Sequence, residues 1–253
     1  VIMGGASVPK TVAAKDFVNG TVSFDITPTS STGLQIEVKD ANSISGQSHL
    51  MKSVMFNDVD TNASYYDAVS FLKENGVITG YPDGSFRPEA VVSRVESLKF
   101  ILSGINSELI SAKKLPFPDT AAKEWYSDYV VTAYNRAIVG GYPDNTFKPA
   151  NTVNRAEFLK MLLNAMEINV DKSVSRDVYS DVPRDAWFAP YVQYAKDKNL
   201  ISHSGGSFKP NEGMTRSEVA DLIYRVIVLK ISGSQKYSSG LKVSGSEVSA
   251  YFS

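Results

Sequence analysis

The feature that most constrains the fold is a motif that occurs three times at a fixed spacing. The motif is an aromatic residue, a basic residue and a proline, and its copies are Phe86-Arg87-Pro88, Phe147-Lys148-Pro149 and Phe208-Lys209-Pro210. Successive copies are 61 positions apart in both intervals. An internal repeat of this length indicates tandem units that bury their apolar faces by packing on one another. The sequence therefore predicts three copies of one structural unit.

Further residues recur in step with this triplet. Each copy opens on an aromatic-x-Asp motif: Phe56-Asn57-Asp58, Phe117-Pro118-Asp119 and Tyr179-Ser180-Asp181. An aromatic pair follows: Tyr65-Tyr66, Trp125-Tyr126 and Trp187-Phe188. Each copy ends on a polar-Arg-x-Glu tetrad: Ser93-Arg94-Val95-Glu96, Asn154-Arg155-Ala156-Glu157 and Thr215-Arg216-Ser217-Glu218.

Each unit has the pattern of a helix, a turn and a second helix. The spacing of Tyr65, Ala68, Val69 and Leu72 is that of an amphipathic helix. Gly76 and Asn199 are placed to end the first helices of copies one and three in the left-handed conformation. The second helix is predicted to begin at Ser93, Asn154 or Thr215, because the preceding proline disfavours an earlier start. Four apolar residues of the second helix in copy one are predicted to face the core: Val95, Leu98, Ile101 and Leu102.

The tetrads combine a structural and a functional signal. Their first and fourth residues fit a capping box, which accounts for the glutamates as structural groups rather than general acids. The arginines, Arg94, Arg155 and Arg216, fall at the first helical position, where the helix dipole disfavours a cation. Each could pair with an acidic side chain of a neighbouring copy. Each could also help to bind a carboxylate or phosphate at the helix N-terminus.

The loop before the triplet contains Gly80, Tyr81 and Asp83 in copy one, and Gly141, Tyr142 and Asp144 in copy two. A tight turn explains the proline and aspartate of this loop and the Gly or Asn that follows them. The glycine before the tyrosine would allow a ligand or another backbone to approach closely. Copy three, which reads Ser202-His203-Ser204-Gly205-Gly206-Ser207, lacks both the Gly-Tyr pair and the Asp. A ligand site there is expected to be altered or lost.

Trp125 and Trp187 allow two interpretations. Aromatic side chains dominate core burial, which favours both residues as wedges packed between copies. Stacking on a sugar ring is the alternative, and for that reason both stay among the candidate ligand-binding residues.

Composition excludes several classes of function. The chain has 253 residues, with 26 Lys and Arg against 27 Asp and Glu, so it lacks the basic surplus of a nucleic-acid binder. It has no Cys and only two His, His49 and His203, which disfavours metal and nucleophile sites of those types. The series Asp58, Asp60 and Asn62 lacks the Gly and Glu of a calcium loop. No metal, no cofactor and no membrane insertion are therefore expected.

The two ends of the chain differ from the repeats. Residues 21–26 and 34–38 alternate like strands, residues 27–33 form a turn cluster, and residues 40–48 resemble a polar linker. The predicted division is residues 1–50, the β-rich end of a larger domain or a small hairpin, then repeats at 51–110, 111–172 and 173–231. The Ser- and Gly-rich tail, 232–253, is predicted to be largely irregular, with a weak strand pattern at 240–243.

The linked motifs of residues 54–230 resemble the S-layer homology domain family. The resemblance implies a mainly α-helical, pseudo-threefold bundle of three helix-turn-helix repeats, with ligand grooves between adjacent copies. It also implies a non-catalytic function outside the cell, the anchoring of a surface protein to the cell wall. The implied ligand is a secondary cell-wall polysaccharide, often one bearing a pyruvate ketal whose carboxylate suits an arginine.

The resemblance carries the arginine of the family motif onto Arg94, Arg155 and Arg216. Copy one has Ser-Arg-Val-Glu, and Tyr in place of the usual Trp, and copy three lacks the loop signature, so one or two competent grooves are expected. Alternatives from other classes are an assembly element that joins subunits of a surface lattice, and direct peptidoglycan binding. A glycoside hydrolase would need two carboxylates facing across one cleft, whereas the repeated glutamates are explained as caps.

Overall fold

A computed structural model describes residues 2–3, 6–7, 27–28, 35–39, 45–47, 56–111, 113–201, 206–241 and 243–252. The chain divides into two compact units, Val1–Asn57 and Asp58–Ser253. The described part of the first unit is made of short strands, and the second unit is helical.

Five strands are described in the first unit: β1 (Ile2–Met3), β2 (Ala6–Ser7), β3 (Thr27–Pro28), β4 (Gln35–Lys39) and β5 (Ser45–Gln47). They form an antiparallel sheet in the order β1-β4-β5 and an antiparallel pair of β2 with β3. The predicted strand at 34–38 is confirmed as β4. The one at 21–26 lies outside the described residues.

Two predictions for this unit are wrong. Thr27–Pro28 is a strand within the predicted turn cluster, and Ser45–Gln47 is a strand within the predicted linker. Val38 pairs with Gly46 in the β4–β5 ladder. Ser and Gly have low strand propensity, so the strand at 45–47 forms because it pairs with β4.

The described residues of the second unit form seven helices: α1 (Tyr66–Glu74), α2 (Arg94–Gly104), α3 (Ser127–Asn135), α4 (Arg155–Ala165), α5 (Ala189–Asp197), α6 (Arg216–Ser232) and α7 (Gly245–Phe252). Helices α1 to α6 are the helix pairs of the three copies, so the predicted helix-turn-helix units are confirmed. The four predicted core residues of α2 are all buried.

The helix ends agree with the sequence. Ser93, Asn154 and Thr215 are N-caps, and each accepts the backbone N–H of the tetrad glutamate, whose carboxylate accepts the cap N–H in return. All three capping boxes are thus confirmed. Gly76 and Asn199 have φ of 70° and 58°, the left-handed conformation that was predicted at these helix ends.

A closed ring of backbone hydrogen bonds joins the three copies. The N–H of Val92 donates to the carbonyl of Met214, Met214 donates to Val153, and Val153 donates to Val92, over 2.9 to 3.0 Å. A second ring runs through the tetrad arginines: Arg94 N–H to Asn151, Arg155 to Glu212 and Arg216 to Ala90. Within each ring, every copy donates to one neighbour and accepts from the other, and the two rings run in opposite directions. This cyclic bonding gives the predicted pseudo-threefold arrangement.

Helix packing follows the same cyclic order. Helix α3 of copy two packs on α2 of copy one, α5 of copy three packs on α4 of copy two, and α1 of copy one packs on α6 of copy three. Every first helix thus covers the second helix of a neighbouring copy. The triplet aromatics Phe86, Phe147 and Phe208 are at most 1% exposed and belong to the core.

The opening Asp of each copy fixes the loop that precedes its second helix. Asp119 accepts the backbone N–H groups of Phe147 and Lys148 at 2.8 and 2.7 Å, and Asp58 and Asp181 make the equivalent bonds in their copies. The basic residue of each triplet has φ of 57° to 58°, which is uncommon for a side chain with a Cβ. The two charge-assisted bonds hold the backbone in this conformation.

Replacing Asp119 with Ala should destabilise the helical unit by about 2 kcal/mol, because two backbone donors lose a charged acceptor. Urea unfolding followed by circular dichroism measures the change. The exposed Asp185 provides a matched control, since Asp185→Ala should change the free energy of unfolding by less than about 0.5 kcal/mol. Equal effects of the two variants would show that the Asp119 bonds contribute nothing to stability.

The predicted irregular tail is wrong in part, because it ends in helix α7. The Asn106 side chain donates to the Phe252 carbonyl, the Tyr251 hydroxyl lies 3.5 Å from the sulfur of Met166, and the Phe252 ring packs near Phe71. These contacts with α1 and with the segments that follow α2 and α4 fold the tail back onto the helices. They join residues more than 80 positions apart, so the local composition of the tail gave no sign of them. Leu241 and Val243 are not in a strand.

Candidate ligand-binding grooves

Three surface depressions lie where the copies meet, and we name each after its arginine. The Arg94 groove has its loop and second helix from copy two, its arginine from copy one and Trp187 from copy three. The Arg216 groove has its loop and helix from copy one, its arginine from copy three and Trp125 from copy two. In the Arg155 groove, copy two supplies the arginine and copy three supplies the helix. The two grooves that contain a tryptophan thus each need all three copies.

The Arg94 groove is the largest, with a volume of about 430 Å³. The guanidinium carbon of Arg94 lies 4.8 Å from the centre of the Tyr142 ring and 4.9 Å from that of Phe147. Lys160 lies over the Trp187 ring at 5.2 Å and adds a second cation to the groove. The groove therefore combines two positive charges with aromatic surface.

Arg94 is buried without enough hydrogen-bond acceptors. The residue is only 6% exposed, and its Nε has no hydrogen-bond partner among the described residues. Nη1 has the Met161 sulfur at 3.8 Å and a carboxylate oxygen of Glu157 at 3.6 Å, beyond hydrogen-bond range. A buried charge normally has close partners, so this guanidinium keeps capacity for an external anion.

Both carboxylate oxygens of Glu157 have closer donors than Arg94. The Tyr142 hydroxyl donates to one carboxylate oxygen of Glu157 at 2.6 Å, while the other oxygen serves the capping box. Burial, and then this hydrogen bond, raises the pKa of Tyr142 to about 12, so the phenol stays protonated and remains a donor. The Glu157 carboxylate thus makes its close hydrogen bonds elsewhere and approaches Arg94 only to 3.6 Å.

The Arg216 groove has a volume of about 240 Å³ and the same components. The guanidinium lies 4.8 to 5.1 Å from the ring centres of Tyr81, Phe86 and Phe100. Its Nε donates to the Phe86 carbonyl at 2.7 Å, and its two Nη groups make no hydrogen bond within the described part of the chain. Burial lowers the pKa of Arg216 from its ordinary value, but an arginine remains charged at neutral pH. Lys99 and Trp125 complete the lining.

The Arg155 groove is small, with a volume of about 40 Å³. Nη1 of Arg155 donates to the Phe208 carbonyl at 3.0 Å and to the Glu212 carboxylate at 2.9 Å, and Nη2 donates to Glu218 at 2.7 Å. Of the two interpretations that the sequence left open, ion pairing with a neighbouring copy describes Arg155. Arg94 and Arg216 keep unused donors.

The sequence analysis missed the groove lysines. Lys99, Lys160 and Asp221 are separated by the 61-residue period, and each lines the groove of its own copy. The 61-residue period could have identified this position, because it carries a lysine in copies one and two and an aspartate only in copy three. Asp221 is paired with Arg225 at 2.9 Å.

The remaining candidate residues divide between the grooves and their surroundings. Gly80 and Tyr81 line the Arg216 groove, and Gly141 and Tyr142 line the Arg94 groove. Asp83 and Asp144 are not lining residues. They accept the backbone N–H and hydroxyl of Ser85 and Thr146 and thereby shape the exposed turns. The first four residues of the copy-three loop, 202–205, lie outside the described residues.

Two expectations about the aromatic and glycine residues need correction. Trp125 and Trp187 are 54% and 53% exposed, so their interpretation as buried wedges is wrong; they stand at the groove mouths instead. Gly141 has φ of 77°, and a Cβ there would come within 2.4 Å of the Phe117 ring. The group for which this glycine makes room is thus the Phe117 side chain of its own copy.

The described residues contain neither a candidate metal site nor a candidate membrane-spanning helix. No cluster of three His, Asp or Glu side chains there could hold a metal ion. In the same residues, no helix combines the length and apolar character needed to cross a bilayer.

The repeats match a known family model. The model of the S-layer homology domain matches residues 56–96, 116–159 and 178–220, just over half of the chain. The chain belongs to the S-layer homology domain family. The three matched segments coincide with the three structural copies, and each includes its tetrad glutamate.

Several curated proteins share these S-layer homology repeats. Cell surface glycoprotein 1 of Acetivibrio thermocellus is 29% identical over 161 residues, 59% of this chain and 7% of its own length. An S-layer protein of Bacillus licheniformis is 24% identical over 66% of this chain and 19% of its own length. The cellulosome-anchoring protein of Acetivibrio thermocellus is 27% identical over 53% of this chain and 31% of its own length. The chain thus corresponds to less than a third of each of these relatives.

Proposed function

We propose that this chain is a non-catalytic module outside the cell that anchors a protein to the bacterial cell wall by binding an acidic wall polysaccharide. The observation that carries the proposal is the Arg94 guanidinium, which is buried, has unused donors and faces an open groove. The relatives named as S-layer, cell-surface and cellulosome-anchoring proteins support a role at the cell surface.

The charges of the grooves favour an anionic ligand. Arg94 and Lys160 share one groove with the single carboxylate of Glu157, and Arg216 and Lys99 share the other with that of Glu96, so cations outnumber carboxylates in both. Each arginine also lies in the first turn of a helix, where the positive end of the helix dipole favours an anion. An arginine desolvated between aromatic rings gains more from a carboxylate than an exposed one would, because the local dielectric constant is low.

The aromatic side chains favour a carbohydrate. Trp125 and Trp187 each present about half of their surface to solvent at a groove mouth. An exposed indole beside hydrogen-bonding groups offers an apolar face to a sugar ring. A sugar that carries a carboxylate satisfies both features, and a pyruvate ketal on a secondary cell-wall polysaccharide is such a group.

The test is co-sedimentation of the chain with purified cell walls, intact and after acid removal of the secondary polymer. We expect the protein to pellet with intact walls and to stay in the supernatant with stripped walls. Equal pelleting with both would move the target to peptidoglycan. No pelleting with either would overturn the anchoring function and leave assembly of a surface lattice as the alternative, which ordered self-association without polysaccharide would reveal.

The intrinsic fluorescence should report ligand binding, because the chain's only two tryptophans are both at groove mouths. We expect acrylamide to quench the free protein strongly and a saturating acidic glycan to reduce that quenching at least about twofold, since a bound sugar covers the indoles. Trp187→Phe and Trp125→Phe assign the signal to each groove. Quenching that is unchanged at saturation would exclude stacking on the tryptophans.

A further inference from the structure

The Arg155 groove contains a carboxylate of the chain itself at its arginine. A carboxylate oxygen of Glu212 lies 2.9 Å from Nη1 of Arg155, the distance of a direct ionic hydrogen bond. Arg155 is 8% exposed, so this contact is made to a buried cation. We infer that Glu212 is an internal substitute for the acidic ligand, which occupies the third groove and restricts the chain to two glycan sites.

The backbone places Glu212 where the other copies have short, uncharged side chains. Its carbonyl accepts the Arg155 N–H at 2.9 Å, and the carbonyls of Asn151 and Ala90 accept the N–H groups of Arg94 and Arg216 at 2.8 and 2.9 Å. The three positions are therefore equivalent relative to the arginine they serve. Only in copy three does this position carry a carboxylate.

Two further differences make the Arg155 groove less favourable for an external anion. In the Arg94 groove, Tyr142 holds Glu157, whereas copy three lacks the Gly-Tyr pair and Glu218 pairs directly with Arg155 at 2.7 Å. Asp221 replaces the groove lysine of the other copies. An approaching acidic sugar would thus meet three carboxylates and no groove lysine, and it would have to displace two ion pairs. Each of the other grooves has one glutamate, a lysine and an arginine with unused donors.

A carboxylate at this one position should therefore decide whether a groove accepts an external anion. Glutamate placed at Asn151 should occupy Arg94, and glutamate placed at Ala90 should occupy Arg216, because the backbone relation to the arginine is the same. Glutamine at either position has the same size and no charge, so it should leave the groove open.

The experiment counts sites by calorimetric titration with an N-acetylhexosamine methyl glycoside that carries a pyruvate ketal. It rests on the proposed function, and we expect two sites for the wild type, one each for Asn151→Glu and Ala90→Glu, and none for the double variant. Asn151→Gln and Ala90→Gln should keep two. Three sites in the wild type, or two in Asn151→Glu, would overturn the inference.

A second measurement does not depend on any glycan. In the crystal structure of Asn151→Glu, we expect the new carboxylate within hydrogen-bond distance of the Arg94 guanidinium. A carboxylate turned to solvent would overturn the inference. If the wild type binds no probe but this ion pair forms, the acidic-glycan proposal fails for that ligand while the internal substitution stands.

Discussion

Replacing both Arg94 and Arg216 with Ala should abolish pelleting of the chain with intact cell walls. Each guanidinium is expected to make charge-assisted hydrogen bonds to the ligand, worth about 1.5–3 kcal/mol apiece, or roughly 10- to 100-fold in the affinity of each groove. When one polymer engages both grooves, the losses in affinity of the two grooves multiply in the overall avidity. The single variants should retain one groove and pellet weakly.

Arg94→Ala on its own should cost little stability. Arg94 is buried with an unpartnered Nε, so removing its side chain relieves a desolvation cost. The same removal loses the contacts of the guanidinium with the Tyr142 and Phe147 rings. We expect a change in the free energy of unfolding within about 1 kcal/mol for Arg94→Ala. A binding loss without a stability loss would identify the arginine as a functional group.

Arg155→Ala is the matched control for this prediction. It removes bonds to Glu212 and Glu218, which are partly exposed, so we expect a destabilisation of about 2 kcal/mol rather than the full effect of a buried ion pair. Wall affinity should stay within about twofold of the wild type at temperatures where the variant is folded. A loss of binding comparable to that of Arg94→Ala would contradict the assignment of separate roles.

Phe158→Ala should destabilise the helical unit by about 3–5 kcal/mol, the largest stability effect predicted for this chain. Phe158 lies in α4, is fully buried and leaves a cavity that the surrounding helices cannot fill. The hydrogen-bond ring couples the copies, so one cooperative transition at lower denaturant is expected rather than the early loss of one copy. Urea unfolding followed by circular dichroism and tryptophan fluorescence should give coincident curves.

Leu109→Ala is the control for the core substitution, because Leu109 is 41% exposed. We expect less than about 0.5 kcal/mol from this change. Two separated transitions in Phe158→Ala would show that the copies fold independently.

The helices and their caps could be predicted because they depend on local residues. Each Ser, Asn or Thr cap and its glutamate lie three positions apart, and the left-handed Gly76 and Asn199 follow directly from the ends of their helices. The period of 61 residues also gave the number of units. Such signals do not require knowledge of any distant contact.

The grooves could be predicted only in part, because their state depends on contacts across copies. The sequence identified three equivalent arginines, but whether each has a partner is decided by residues 53 to 130 positions away. The exposure of Trp125 could not be inferred from its type. Strand β5 depends in the same way on pairing with β4.

The cyclic packing of the copies sets this chain apart from linear repeat proteins. A solenoid grows or shrinks by whole repeats because only its two end units lack a neighbour. Here α1 packs on α6, so the first copy contacts the last and no copy is terminal. A fourth copy would have to break an existing interface in order to enter, and a missing copy would leave two interfaces uncovered. The number of repeats is thus fixed by closure of the ring. The copies can still differ in ligand binding through substitutions at single positions within each groove.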